Sequence, residues 1–391
     1  MSLEQPPRQG AGFASSRASV WLDAIRACAA LLVLLEHWRN LFFLDFPQLT
    51  AHRALLVVPY ALSSVGHQAV IVFFLLSGYF IGGSVLQSVA RHTWTWKDYL
   101  LKRIVRLWIV LIPSLLLCAS WDLLGLHLNR APDFYGGLFR PAFIPDVLHH
   151  LTLKTFLGNL FFLQGILTST FGSDGPLWSL SYEFWYYMLF PLAFFALRRQ
   201  TKTTPRLLCI ALFAAIAFLV RGPILLYFSV WLAGALLHRI PQLTLPQSSA
   251  ARMRWLAVLL AIPVFLAIGK QKLVSEGVGD AGIAIMSFLV LWCLLSARNV
   301  PAPQGSGVPL IRLSARFSYS LYTLHLPLLL LLKSLIQGNQ RWTPSPLLFL
   351  LALAPLALTI IYAYAVASLT EFHTDTVRRW LERRLHLHPM R

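Results

Sequence analysis

Two stretches of the chain, residues 68–90 and 342–370, contain no Asp, Glu, Lys or Arg. Each is long enough to cross the roughly 30 Å hydrocarbon core of a bilayer as a helix, which takes about 20 mainly apolar residues. Only helices and closed barrels satisfy their backbone hydrogen bonds in lipid, and apolar runs of this length select helices. Eight more apolar runs repeat the pattern, near 18–41, 106–125, 176–197, 205–220, 222–238, 254–270, 280–297 and 317–336. With 67–88 and 344–369 they predict an all-α, polytopic transmembrane helix bundle of about ten spans. Arg221-Gly222-Pro223 predicts a tight turn between two short helices, because Pro lacks a backbone donor and disfavours helix before it. Composition agrees: 57% of the residues are hydrophobic and 12% charged, against about 45–50% and about 25% in soluble chains. Disorder, a disulfide scaffold and an ordinary cytosolic enzyme are excluded.

The formal charge is +18, which on a soluble protein would suggest nucleic acid. Here the basic residues sit in short clusters between apolar runs, where they set topology, and no nucleic-acid partner is expected. Lys and Arg divide twenty-two against eight between alternate sets of loops. The positive-inside rule then puts both termini in the cytoplasm. The expected organisation is a cytoplasmic N-terminal tail (1–17), a membrane domain (18–370) and a basic cytoplasmic C-terminal tail (371–391). No removable signal peptide is expected, since Ala27 to Leu35 runs into Glu36-His37 rather than a cleavage site. Residues 127–175 form the largest outer segment, and 147–166 have the spacing of a helix lying along the interface. The four cysteines are far apart in apolar runs with no C-x-x-C, so inert thiols are expected, and no metal site. His52, His92, His127, His238, His386 and His388 fall in loops or tails and read as solvated.

Ionisable groups within spans are expensive and mark functional sites by default. The first span is densest. Arg26 and His37 are eleven residues apart, three turns, so they share a face at a separation of roughly 16 Å along the axis. Asp23 can pair with Arg26; Glu36 points elsewhere and needs its own explanation. A neutral imidazole takes a proton from a hydroxyl near pH 7, and a guanidinium suits an anionic or carbonyl-bearing partner. Arg103 and Arg106 lie one turn apart, either as membrane anchors or as a phosphate clamp. Further on, Ser179, Glu183 and Tyr186 or Tyr187 share a face, and Glu183, among aromatic residues, requires a cationic or protonated partner. Tyr322 and His325 share a face near Pro327, suited to a substrate contact or to a structural hydrogen bond. No G-x-S-x-G, P-loop or H-E-x-x-H is present, which weakens hydrolase, NTPase and metalloprotease readings.

Five pieces in this order resemble the acyltransferase family 3 membrane proteins, which acylate cell-surface carbohydrates and related molecules. They are Leu22-Asp-Ala-Ile-Arg26 with ten residues before His37; Val72-Phe-Phe-Leu-Leu-Ser77-Gly78-Tyr79; Arg103-Ile-Val-Arg106-Leu-Trp; Pro176-Leu-Trp178-Ser179-Leu-Ser-Tyr-Glu183-Phe; and Ser318-Tyr-Ser320-Leu-Tyr322-Thr-Leu-His325-Leu-Pro327. The resemblance implies an acyl-CoA-dependent O-acyltransferase, with acetyl the expected group. Its acceptor would be a hydroxyl of a cell-surface carbohydrate, glycolipid or related glycoside. The protein would be a multi-pass protein of the inner (cytoplasmic) membrane with no bound cofactor; acyl-CoA is its co-substrate. The family's essential Arg-x10-His pair falls on Arg26 and His37, and its basic motif on Arg103 and Arg106, the expected acyl-CoA contacts. Glu183 is expected to act with His37 and Arg26 in catalysis. Ser179, Tyr186, Tyr322 and His325 are the expected substrate contacts. Relatives often carry a periplasmic hydrolase-like domain, which is not expected here. They commonly place Pro two residues after a late Glu; Glu371 lacks it. A proton-coupled glycolipid exporter using His37 and Glu183 as a relay is the alternative function.

Overall fold

The computed structural model describes residues 16–138, 144–241, 276–296 and 305–385, with isolated positions between 249 and 261. Its described residues are helical apart from turns and three isolated bridges. Nine of the ten expected segments are helices; 254–270 lies outside the described residues apart from isolated positions, and Arg8, Arg140, Lys270, Lys272, His386 and His388 lie outside them altogether.

Helix α1 is Arg17–Phe42. Ser16 opens it, accepting a hydrogen bond from the Ser19 amide at 3.2 Å, the usual way an N-cap hydroxyl relieves an orphan donor. A short α2 (Arg53–Leu62) precedes α3 (Gly66–Ser77), which passes through a π-helical turn at Gly78–Gly82 into α4 (Gly83–Ala90). Helix α5 (Trp96–Leu128) starts at the Thr95 cap, with Asp98 in its first turn, and stops at Asn129 in the left-handed region. Next come α6 (Leu153–Leu160), α7 (Trp178–Leu197), α8 (Thr203–Leu219) and α9 (Pro223–Leu236). The chain ends with α10 (Glu276–Leu295), α11 (Gly307–Arg316), α12 (Ser318–Gln337), α13 (Pro346–Leu369) and α14 (Thr374–Arg384). The turn expected at 221–223 is present: Gly222 has φ +82°, and Pro223 starts α9 where no amide is needed.

Among the described residues, six stretches are long and apolar enough to cross a membrane: Arg17–Phe42, Arg53–Ala90, Trp96–Leu128, Gly277–Leu295, Ser318–Gln337 and Pro346–Arg384. Helices α8 and α9 are apolar but shorter, and α7 is diluted by Ser, Tyr, Trp and Glu. The interfacial helix expected over 147–166 is interrupted. It resolves into a single turn, Val147–His150, then α6, and ends before Phe162, whose φ is +59°.

Helix α12 is the centre of the bundle. It packs on α1, α5 and α13, and its residues from Ser318 to Leu331 are buried apart from Tyr319. Proline opens two of the central helices in a paired way. Pro327 has no N–H, which frees the Thr323 carbonyl, and Ser114 of α5 donates to it at 2.6 Å. Pro191 likewise frees the Tyr187 carbonyl, which accepts from the Tyr99 hydroxyl at 2.9 Å. In both cases a neighbouring helix restores the hydrogen bond that proline removes. Helices α3 and α9 approach closely through small residues. A Cβ on Gly78 would meet the Trp231 carbonyl oxygen at 1.9 Å, and one on Gly234 the Leu75 carbonyl oxygen at 2.0 Å.

Candidate active site

Arg26 projects from α1 into a cavity of about 220 Å³ bounded by α1, α3, α5, α7 and α12. Its polar walls are Arg26, Arg106, Ser77, Ser179, Glu183, Tyr187, Ser318, Tyr319 and Tyr322. Asp23 pairs with Arg26 at 3.3 Å, as the i,i+3 spacing suggested, leaving the buried Arg26 Nε without a hydrogen bond among the described residues. Arg106 lies close enough to Arg26 to interact with it electrostatically; Glu371 and Glu183 are its acidic partners. Two guanidiniums and one carboxylate, Glu183, therefore line one small, mainly apolar cavity, with Glu371 beside Arg106 outside the lining; there a neighbouring charge counts for more than in water.

Glu183 is held from two sides. Its Oε1 accepts from the Ser77 hydroxyl at 2.9 Å and from the Tyr187 hydroxyl. Ser77 in turn accepts from the Trp231 indole at 3.1 Å. The α3–α9 contact through Gly78 thus fixes the acid of α7. Tyr322 donates to the Pro176 carbonyl at 2.9 Å and lies 2.7 Å from the Ser179 hydroxyl. With the tyrosine proton on Pro176, Ser179 is the donor between them.

His37 lies one side chain beyond the cavity wall. Its ring is 5.2 Å from that of His325, and the His325 ring is 6.3 Å from Tyr322. His325 Nδ1 lies 3.0 Å from the Leu321 carbonyl. That bond requires the proton on Nδ1 and leaves a lone pair on Nε2. Both His325 Nε2 and His37 Nδ1 are buried without a hydrogen-bond partner among the described residues. Each imidazole thus keeps one buried ring nitrogen without a partner among the described residues, and the two rings lie side by side.

Three expected positions lie elsewhere. Tyr186 faces α9, away from the cavity: its hydroxyl donates to the Ile224 carbonyl at 2.8 Å and its ring packs on Phe228 and Trp231. Its neighbour Tyr187 takes the cavity position. Arg103 lies over the rings of Tyr99 and Tyr187, at 5.6 and 5.9 Å, and is absent from the lining. His238, read as solvated, stacks on Tyr79 at 4.3 Å and bonds its carbonyl at 2.8 Å.

Two acids find their explanation only here, and a third is left without a partner among the described residues. Glu371 accepts from the Ser320 amide at 3.0 Å and its hydroxyl at 2.8 Å. It thereby caps the first turn of α12, where a negative charge is favoured, and faces Arg106 and Arg26. Glu36 accepts from the amides of Gly66 and His67 and caps α3 in the same way. Asp174, in the loop before α7, is fully buried with both oxygens unpartnered among the described residues. Burial and the nearby Asp122 push its carboxyl well above the usual range. Spacing put His325 on the face of Tyr322 but could not pair it with His37, nor Glu371 with Arg106 and Arg26, because those partners lie on other helices. The one signal was a costly charge in an apolar run. Among the described residues no cluster of three His, Cys, Asp or Glu could hold a metal ion.

No curated protein and no solved structure matches the chain. Residues 19–366 match the family model of the acyltransferase domain, covering all five of the motifs and both sides of the cavity. The chain belongs to acyltransferase family 3, a family of membrane acyltransferases.

Proposed function

We propose that this protein moves an acyl group, acetyl being the expected one, from acyl-CoA to a hydroxyl of a cell-surface carbohydrate or related glycoside. The observation that carries the reading is convergence. Arg26 and Arg106 meet Glu183 in one cavity, and His37 and His325, each with one ring nitrogen unpartnered among the described residues, lie behind its Tyr322 wall.

In the proposed reaction the acceptor hydroxyl gives its proton to His37 as its oxygen attacks the thioester carbonyl. The tetrahedral oxyanion is stabilised by Arg26 and Arg106. Its collapse breaks the carbon–sulfur bond, and the CoA thiolate leaves and takes up the proton. His325 accepts or shares that proton with His37. Glu183, anchored by Ser77 and Tyr187, keeps Arg106 oriented, and Ser179 and Tyr322 contact the acyl group or the acceptor. Arg106, already matched to two carboxylates, serves the carbonyl better than a phosphate. Arg103, one turn nearer the start of α5, is the phosphate contact. In this reading the donor enters at the Arg26 end of the cavity, taken as the cytoplasmic end.

Membranes carrying the protein, incubated with labelled acetyl-CoA, test the reading. Label should move to a carbohydrate fraction, and His37→Ala should stop the movement while the protein inserts normally. Absence of transfer with acetyl-, succinyl- and longer acyl-CoAs would overturn the reading in favour of an exporter.

A further inference from the structure

We propose that the acceptor is received in a second cleft, at the starts of α3, α7, α9 and α10, built for an uncharged ring with hydroxyls at its edge and an apolar face, as in a pyranose. The acceptor's role in the reaction rests on the acyl-transfer reading above; the cleft's binding chemistry does not.

The residues at this place are a cluster of one acid, one imidazole and three aromatic side chains, and Tyr227 and Asp280 also line an apolar pocket between α9 and α10. Asp280 is 7% exposed and accepts from the Tyr227 hydroxyl and from His67 Nε2 at 3.1 Å. His67 is held by this bond yet open, its side chain 46% exposed. Its ring lies nearly parallel to the Trp178 indole, 24° and 6.2 Å apart, and edge-on to Tyr227. Trp178 meets Tyr182 edge-on at 5.0 Å, and Tyr182 stacks on Phe74.

A purely structural cluster would close over its polar groups. Here the Trp178 indole N–H and the Tyr182 hydroxyl have no hydrogen-bond partner among the described residues, and both side chains are only partly buried. Aromatic side chains with a polar edge usually satisfy it once buried, so these edges await solvent or ligand. Flat aromatic faces, a fixed carboxylate, an open imidazole and two free polar edges match a ring that is apolar on its face and hydroxylated at its rim. Charge argues against an anion. Asp280 and Glu36 stand at this end with Arg39, which already interacts with Glu36.

The position suits an acceptor. Phe74 contacts Trp178 and Tyr182 and also lines the cavity, while Ser179, next to Trp178, is in the cavity wall. Glu36, the neighbour of His37, bonds the amide of His67. A ligand on Trp178 therefore borders the Ser179–Tyr322–His37 side of the cavity, opposite to Arg26.

Saturation-transfer NMR on the purified full chain in detergent tests this, with the methyl glycosides of glucose, galactose and N-acetylglucosamine as probes. At least one should bind, with saturation strongest on its ring C–H protons. Asp280→Asn and Trp178→Phe, which keep the size of each side chain close to native, should each weaken binding tenfold or more. Tyr182→Phe, which removes one hydroxyl at the exposed edge, should weaken it about threefold and guards against misfolding of the other two. Binding should persist in His37→Ala even though transfer is lost, which separates this site from the chemistry. No binding of any glycoside to the wild type, or binding indifferent to all three cleft substitutions, would overturn the proposal.

Discussion

Gly78→Ala joins packing to catalysis in one substitution. Gly78 has helical backbone angles, φ −55° and ψ −46°, so alanine is welcome locally and contributes about 1 kcal/mol in helix preference. Its new Cβ, however, would lie 1.9 Å from the Trp231 carbonyl oxygen, where ordinary contact begins at 3.4 Å. The obstacle is backbone, so α3 and α9 must separate by about 1.5 Å. Overpacking of this kind costs about 1–3 kcal/mol. The separation also strains the 3.1 Å bond from the Trp231 indole to Ser77, a further loss of about 1 kcal/mol. The net expectation is destabilisation by about 1–3 kcal/mol, read as a lower apparent melting temperature by tryptophan fluorescence in detergent. Turnover should fall as well, because Ser77 then releases Glu183. Gly277→Ala in α10, with nothing among the described residues within 4 Å of its Cβ, supplies the control, neutral or stabilising by up to about 1 kcal/mol. A Gly78→Ala protein that melts at or above wild type would refute the packing argument.

Ser114→Ala should lower stability by about 1–2 kcal/mol, since it strands the Thr323 carbonyl that Pro327 frees. The loss should shrink in a Pro327→Ala background, where residue 327 supplies the missing amide; equal losses in both backgrounds would refute the pairing. Arg106→Gln should cost transfer at least about a hundredfold, as removal of an oxyanion donor does, and should destabilise by removing the cation that Glu371 and Glu183 share. Arg103→Lys should act mainly on donor KM, because the residue rests on aromatic faces outside the cavity. Asp174→Asn should stabilise increasingly as pH rises. The buried acid's raised native value means that its contribution is complete below the unfolded value, about 4, and is lost as pH climbs toward the native one. Melting temperatures of both proteins from pH 4 to 8 decide this, and parallel curves would contradict it.

Helices were legible wherever hydropathy alone decides, as in α1, α3, α12 and α13. Arg26, Glu183, Ser179 and Tyr322 reach one cavity because spacing on a straight helix sets which side chains share a face. Spacing does not say which face turns inward. Tyr186 and Tyr187 were equivalent by period, and the inward one is chosen by α9 packing on Tyr186. The His37–His325 contact joins residues from opposite ends of the chain, and the Glu371 cap on α12 joins residues 51 apart on separate helices; no local pattern encodes either. The 147–166 segment failed differently. Its Leu and Phe spacing suited a helix, but Phe162 in the left-handed region ended it.

The most direct test is release of free CoA from acetyl-CoA by the purified protein, wild type and His37→Ala, in the presence of an acceptor glycoside. The account predicts a fall of about 10²–10⁴-fold for a lost general base, with the variant eluting and melting like wild type. Release at the wild-type rate from a folded His37→Ala protein would contradict it.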